Sequence, residues 1–166
     1  GTWDHGQLLD LSLERWRAVF EVNLMAPIAI SNAVVPHLAR GSSIVNVSSV
    51  LGQVAAPGRG PYCVSKSALI TLTKMQAIEW AEKGIRVNAI GPGSIMTDML
   101  AGIMNDQAAE DRILSRTPLG RCGEPAEVAA VAIFLACGES SYITGQTIYP
   151  DGGRLGLNYT MPVRRD

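Results

Sequence analysis

The chain has 166 residues, the length of one domain. Hydrophobic residues make up 47% and charged residues 17%, so the chain can collapse around a core and is not a disordered segment. With 14 basic against 15 acidic residues and no Lys/Arg run, a sequence-independent binder of phosphate backbones is disfavoured, and no nucleic-acid partner is expected.

The first predicted element is a long helix from about Ser12 to Arg40. Ser12 is a candidate N-cap, and Leu13, Trp16, Val19, Phe20 and Leu24 recur at three- and four-residue spacing. Pro27 is expected to kink or interrupt it. After Gly41 the period changes: Ser43 to Val47 is short and β-branched and reads as a buried strand. A Gly/Pro-rich loop from Gly52 to Pro61 leads into a helix from Tyr62 to Lys83, closed by Gly84. Ile85 to Ile90 is the second strand, stopped by Gly91-Pro92-Gly93. Residues 94–122 read as a flap carrying one or two short helices. Gly123-Glu124-Pro125 opens another helix running to Gly138, and Thr147-Ile148-Tyr149 is a last strand before Asp151-Gly152-Gly153. Alternating helix and strand predicts a single α/β domain over 1–166, a parallel sheet with right-handed crossovers.

No uninterrupted apolar run approaches the ~20 residues that a bilayer requires, so no membrane association is expected. Gly1-Thr2-Trp3-Asp4 lacks the basic-then-apolar pattern of a signal peptide. Cys63, Cys122 and Cys137 form no CxxC and have no histidine at metal-ligand spacing, which suits a reducing cytoplasm and predicts no metal site. The sequons at Asn46 and Asn158 carry no weight without an export signal.

The sharpest chemical feature is Tyr62-Cys63-Val64-Ser65-Lys66. Positions i and i+4 share a helix face, so the phenol and the ammonium can meet over one spot. One cation about 4 Å away supplies ~4 kcal/mol at an effective dielectric of 20, worth roughly three pKa units. That is the right chemistry for a tyrosine exchanging a proton near neutrality. Val47-Ser48-Ser49 ends the first strand, and Asn88 to Gly93 ends the second. Sites in open α/β sheets form at these carboxyl ends.

Together with Asn23, Arg86-Val87-Asn88, Pro92 to Thr97, Ile143-Thr144-Gly145-Gln146 and Asp151-Gly152-Gly153, these stretches resemble the short-chain dehydrogenase/reductase family with its one-domain Rossmann-like fold. The resemblance implies an NAD(P)-dependent oxidoreductase, with NAD or NADP as cofactor, that interconverts a secondary alcohol and a ketone. By the same resemblance Tyr62 is the general acid/base, and Lys66 lowers the Tyr62 pKa and holds the nicotinamide ribose. Ser49, at the family's offset, would bond the substrate oxygen. Asn23 would fix a break in its helix and place a water that links Lys66 to solvent. Pro92, Gly93, Ile95 and Thr97 would line the nicotinamide, Ile95 through its backbone and Thr97 through its hydroxyl. Gln53, on the loop before Tyr62, is a candidate substrate contact, and a homo-oligomer, a tetramer or dimer, is expected.

The family's first half, with its glycine-rich phosphate turn, has no counterpart here, and no G-x-G-x-x-G occurs. Two readings follow: the catalytic C-terminal portion of such an enzyme, or a truncated, inactive chain serving as an assembly partner.

Overall fold

The computed structural model describes Thr2 and residues 4–163. β1 (Ser43–Val47), β2 (Arg86–Ile90) and β3 (Thr147–Ile148) form a parallel sheet in the order β1-β2-β3. Ser43 pairs with Arg86 and Val47 with Ile90, so β1 and β2 end level at their carboxyl ends.

Helices cover both faces. Ser43 and Asn46 lie three residues apart on β1 and so face opposite sides. Ser43 Oγ donates to the Leu135 carbonyl at the end of α6 (Pro125–Ala136). Asn46 Nδ2 donates to Thr73 Oγ1 at 2.9 Å on α3 (Gly60–Glu79). β2 is the central strand, and from Val87 to Ile90 it is fully buried. Its one polar side chain in that stretch, Asn88, spends its amide on the segment before β3: Nδ2 donates to the Ile143 carbonyl at 2.8 Å and Oδ1 accepts from Gln146 N–H at 3.0 Å. That pairing offsets the cost of desolvating a polar group in the sheet centre. Val35, Ala77, Ile85 and Val87 form the core cluster, with Leu38, Ile44 and Trp80 packed on it. Arg86 gathers the carbonyls of Leu135 and Cys137 and so caps the end of α6.

The first helix differs from its expected form. α1 (Leu13–Phe20) passes into a π-helical turn, Glu21–Met25, and then into α2 (Ala26–Val34) and a 3-10 turn ending at His37. The irregularity therefore precedes Pro27, which is accommodated at the start of α2. A proline nitrogen has no hydrogen to give the carbonyl four residues earlier, here that of Asn23, so the regular ladder fails at that turn. Ser12 caps the helix as expected, its hydroxyl accepting from Arg15 N–H.

Counting uninterrupted runs also understated this helix. By length and composition Leu13–His37 is apolar enough to cross a membrane. In the fold, however, its polar residues Asn23 and Ser31 are buried with Val19 and Val35. The flap carries two short helices, α4 (Asp98–Met104) and α5 (Gln107–Leu114). Its neck is pinched where Ile95 bridges Gly123, with Gly123 N–H donating to Ser94 and Met96 N–H donating to Gly123.

Candidate active site

α3 begins at Gly60 with proline at its second position, which places Tyr62 and Lys66 one turn apart near its N-terminus. Lys66 is buried, and its Nζ lies 5.8 Å from the centre of the Tyr62 ring. The same ammonium donates to the Val47 carbonyl at 2.8 Å, which ties α3 to the carboxyl end of β1. An ammonium has three donors, so two are left for other partners. Burial draws the Lys66 pKa below its ordinary value.

The two serines after β1 divide their work. Ser48 Oγ donates to the Lys66 carbonyl at 2.9 Å and is consumed in packing α3 on the sheet. Ser49 Oγ accepts from Leu51 N–H at 3.1 Å and keeps its own hydrogen to donate. The structure thus distinguishes the pair: the Ser48 hydroxyl is spent on α3, and the Ser49 hydroxyl has a hydrogen left to donate.

Asn23 sits in the middle of the π-helical turn, almost wholly buried. Its amide clasps the backbone of Thr2, with Oδ1 accepting from Thr2 N–H at 2.8 Å and Nδ2 donating to the Thr2 carbonyl at 2.7 Å. Nδ2 also reaches Ser65 Oγ at 3.1 Å, and Ser65 in turn donates to the Tyr62 carbonyl at 2.8 Å. The sequence alone does not single out Ser65 or Thr2. Only the position of Ser65 inside the Tyr62–Lys66 turn could have suggested it.

The Pro92–Gly93 turn is stapled on both sides. Pro92 accepts from Val50 N–H at 3.0 Å, and Gly93 N–H donates to the Pro150 carbonyl at 3.1 Å. Gly93 has no room for a side chain, since a Cβ there would lie 2.8 Å from the Asp151 Cα. Beside it, the flap-neck bridge uses the peptides flanking Ile95, so the N–H and carbonyl of Ile95 itself face away from Gly123. Thr97 is exposed, and its hydroxyl accepts from Leu100 N–H at the start of α4. Gln53 is exposed, with its Oε1 3.5 Å from the Tyr149 hydroxyl.

A groove of about 320 Å³ runs along β1, lined by Asn23, Ser31, Val47 and Lys66 among others. Among the described residues no strand pairs with the outer edge of β1.

A family model described as enoyl-(acyl carrier protein) reductase matches residues 1–154. The chain belongs to the short-chain dehydrogenase/reductase family. It is 47% identical over 148 residues to the 3-oxoacyl-[acyl-carrier-protein] reductase FabG of Thermotoga maritima, covering 88% of this chain and 59% of that protein. It is 41% identical over 152 residues to dehydrogenase/reductase SDR family member 4 of Bos taurus, covering 90% of this chain and 54% of that protein. The chain thus spans little more than half the length of these relatives.

Solved structures agree. A putative 2-deoxy-D-gluconate 3-dehydrogenase from Agrobacterium tumefaciens with bound NADP superposes with a TM-score of 0.92 at 34% identity, over 95% of this chain and 65% of that one. A 4-hydroxyisoleucine dehydrogenase complexed with NADH gives 0.91 at 33%, over 95% and 66%. The family is NAD(P)-dependent, and the parallel sheet with helices on both faces is its Rossmann-like arrangement.

The described residues fit one end of such a cofactor. The buried Lys66 ammonium, the outward peptide groups of Ile95 and the Thr97 hydroxyl are donors and acceptors suited to a ribose and a carboxamide. The sequence offers no G-x-G-x-x-G turn for a pyrophosphate.

Proposed function

We propose that the full-length protein carrying this sequence interconverts a secondary alcohol and a ketone, with NAD or NADP as cofactor. The observation that carries the reading is the Tyr62–Lys66 pair on α3, with the ammonium anchored to the end of β1 beside Ser49. The nicotinamide would supply or accept hydride at the substrate carbon. As the carbonyl is reduced, the Tyr62 hydroxyl gives its proton to the developing alkoxide, and in the reverse direction the phenolate takes it. Ser49 donates to the same oxygen and fixes it within reach of Tyr62. Lys66 stabilises the phenolate by its charge and uses its remaining donors on the ribose. Asn23 holds the π-helical turn from which a water could reach Lys66. Pro92, Gly93, Ile95 and Thr97 line the nicotinamide, and the flap over 94–122 with Gln53 borders the substrate.

The protein is assigned to the cytoplasm, acts on a small molecule, and assembles as a homo-oligomer, a tetramer or dimer. Exposed apolar side chains on several helices, Ile30, Ile78 and Ile133 among them, support burial against further copies. The test is a panel of ketones and secondary alcohols run on the full-length protein with each cofactor, alongside Tyr62→Phe. Turnover by the parent and none by the variant is the expected result.

A further inference from the structure

Nothing in the pattern around Tyr149 marks it beyond a strand residue, yet its ring occupies the carboxyl end of the sheet. Gly91 N–H donates to the Ile148 carbonyl at 2.8 Å, which brings Gly91 and Tyr149 side by side just past the ends of β2 and β3. A Cβ on Gly91 would lie 2.3 Å from Cε1 and 2.4 Å from Cδ1 of Tyr149, and 3.4 Å from the Ser49 carbonyl carbon. The phenol ring and the Ser49 backbone therefore crowd the same spot, which is passable only because Gly91 has no side chain. Beyond it the Tyr149 hydroxyl stands 3.5 Å from Gln53 Oε1, at the long end of hydrogen-bonding range.

Besides its own internal hydrogen bonds, the turn from Ser49 to Gln53 is held from outside, among the described residues, by two further hydrogen bonds. Val50 N–H donates to the Pro92 carbonyl, and Ser67 Oγ donates to the Gly52 carbonyl at 2.6 Å. Both fix backbone, and neither reaches the Gln53 side chain. Burial raises the Tyr149 pKa, with a Thr147 hydrogen bond opposing, so the hydroxyl is a neutral donor at any ordinary pH.

We propose that Tyr149 is a positioning residue of the active site: its ring fills the space above Gly91 and its hydroxyl holds Gln53, so that together they fix the turn carrying Ser49. This rests on Ser49 acting on the substrate oxygen, as argued above.

The test uses the full-length protein with its cofactor and the variants Gly91→Ala, Tyr149→Leu, their double variant and Tyr149→Phe. In the presence of Tyr149 the added methyl displaces the ring or Ser49, and Gly91→Ala lowers kcat by about 10-fold or more, since misplacement of a reacting group by an ångström has that effect. In the Tyr149→Leu background the methyl has room, and the same change costs less than about 2-fold, the mark of a direct coupling. Tyr149→Phe, which keeps the packing, raises substrate KM by about 3-fold or more while cofactor affinity and Tm hold, as expected for one lost hydrogen bond.

Equal losses from Gly91→Ala in both backgrounds, or a Tyr149→Phe enzyme with parental kcat and KM, would overturn the assignment. If Gly91→Ala does not fold, the Tyr149→Phe kinetics alone decide. Parent and Tyr62→Phe equally inactive on every substrate with cofactor bound would bring down the oxidoreductase reading and this inference with it. Turnover that depends on Tyr62 but not on Tyr149 brings down this inference alone.

Discussion

Asn23 and Tyr62 are joined through a single hydroxyl: Asn23 Nδ2 donates to Ser65 Oγ at 3.1 Å, and Ser65 Oγ donates to the Tyr62 carbonyl at 2.8 Å. The link runs from the π-helical turn to the first turn of α3, between segments 42 residues apart. Removing the Asn23 amide would leave the buried Ser65 hydroxyl without its donor and release the backbone of the exposed Thr2. Asn23→Ala should therefore cost about 1–3 kcal/mol in urea unfolding of the full-length protein. It should also lower kcat more than it raises substrate KM. A variant as stable and as fast as the parent would show that the link is idle.

Tyr62→Phe should abolish turnover and leave cofactor affinity within about 2-fold, because the ring keeps its packing and only the proton is lost. Activity above a few per cent of the parent would refute the assignment. Titration of cofactor by fluorescence supplies the second half of the measurement.

Lys66 should show itself in the pH dependence of stability. Burial lowers its pKa in the folded state, so between that lowered value and the ordinary value of 10.5 the unfolded chain binds more protons than the folded one. Stability contributed by this group must then rise with pH across that window, up to 10.5 and no further. Lys66→Met should flatten the rise in urea midpoints measured from neutral pH upward. Lys66→Ala should separately weaken cofactor binding and rate together; unchanged cofactor affinity would refute the ribose contact.

At the neck of the flap, Glu127 accepts from Arg121 at 2.8 Å and from Glu124 N–H at 2.8 Å. The Arg121 hydrogen bond and then the peptide N–H pull its pKa down from 4.5 to about 2. A depressed carboxylate contributes stability above its unfolded pKa and loses it as pH falls through the folded one, here from 4.5 toward 2. The Glu127 carboxyl resonance should titrate near 2 in the parent and shift toward 4.5 in Arg121→Gln. The contribution at pH 7 should be small, since the pair is solvent-exposed.

The 166-residue chain by itself should neither bind a dinucleotide nor transfer hydride. A pyrophosphate needs backbone N–H groups at a helix N-terminus behind a glycine-rich turn, and the chain has no such turn. A few contacts at the nicotinamide end, worth ~1 kcal/mol each, do not offset the freedom lost on binding. Calorimetry at millimolar cofactor should show no saturable heat; a micromolar dissociation constant would contradict this.

The α/β alternation, the bounds of β1 and the Tyr62–Lys66 pairing were legible in the sequence, because each rests on local periodicity: two for a strand, 3.6 for a helix. The resemblance to the family rests on the same local stretches. Tertiary structure decided the rest. In the sequence only the family's offset sets Ser49 apart from Ser48; the docking of α3 on β1 adds a physical difference, spending one hydroxyl on the Lys66 carbonyl and sparing the other. The π-helical turn around Asn23 lies just ahead of Pro27, whose missing N–H interrupts the ladder there, and only the tertiary fold brings Thr2 and Ser65 to the Asn23 amide. Gly91 reads as a strand breaker until the register of β2 and β3 sets the Tyr149 ring against it. Each of these contacts joins residues distant in the chain, and their meeting depends on crossovers and register that no local pattern encodes.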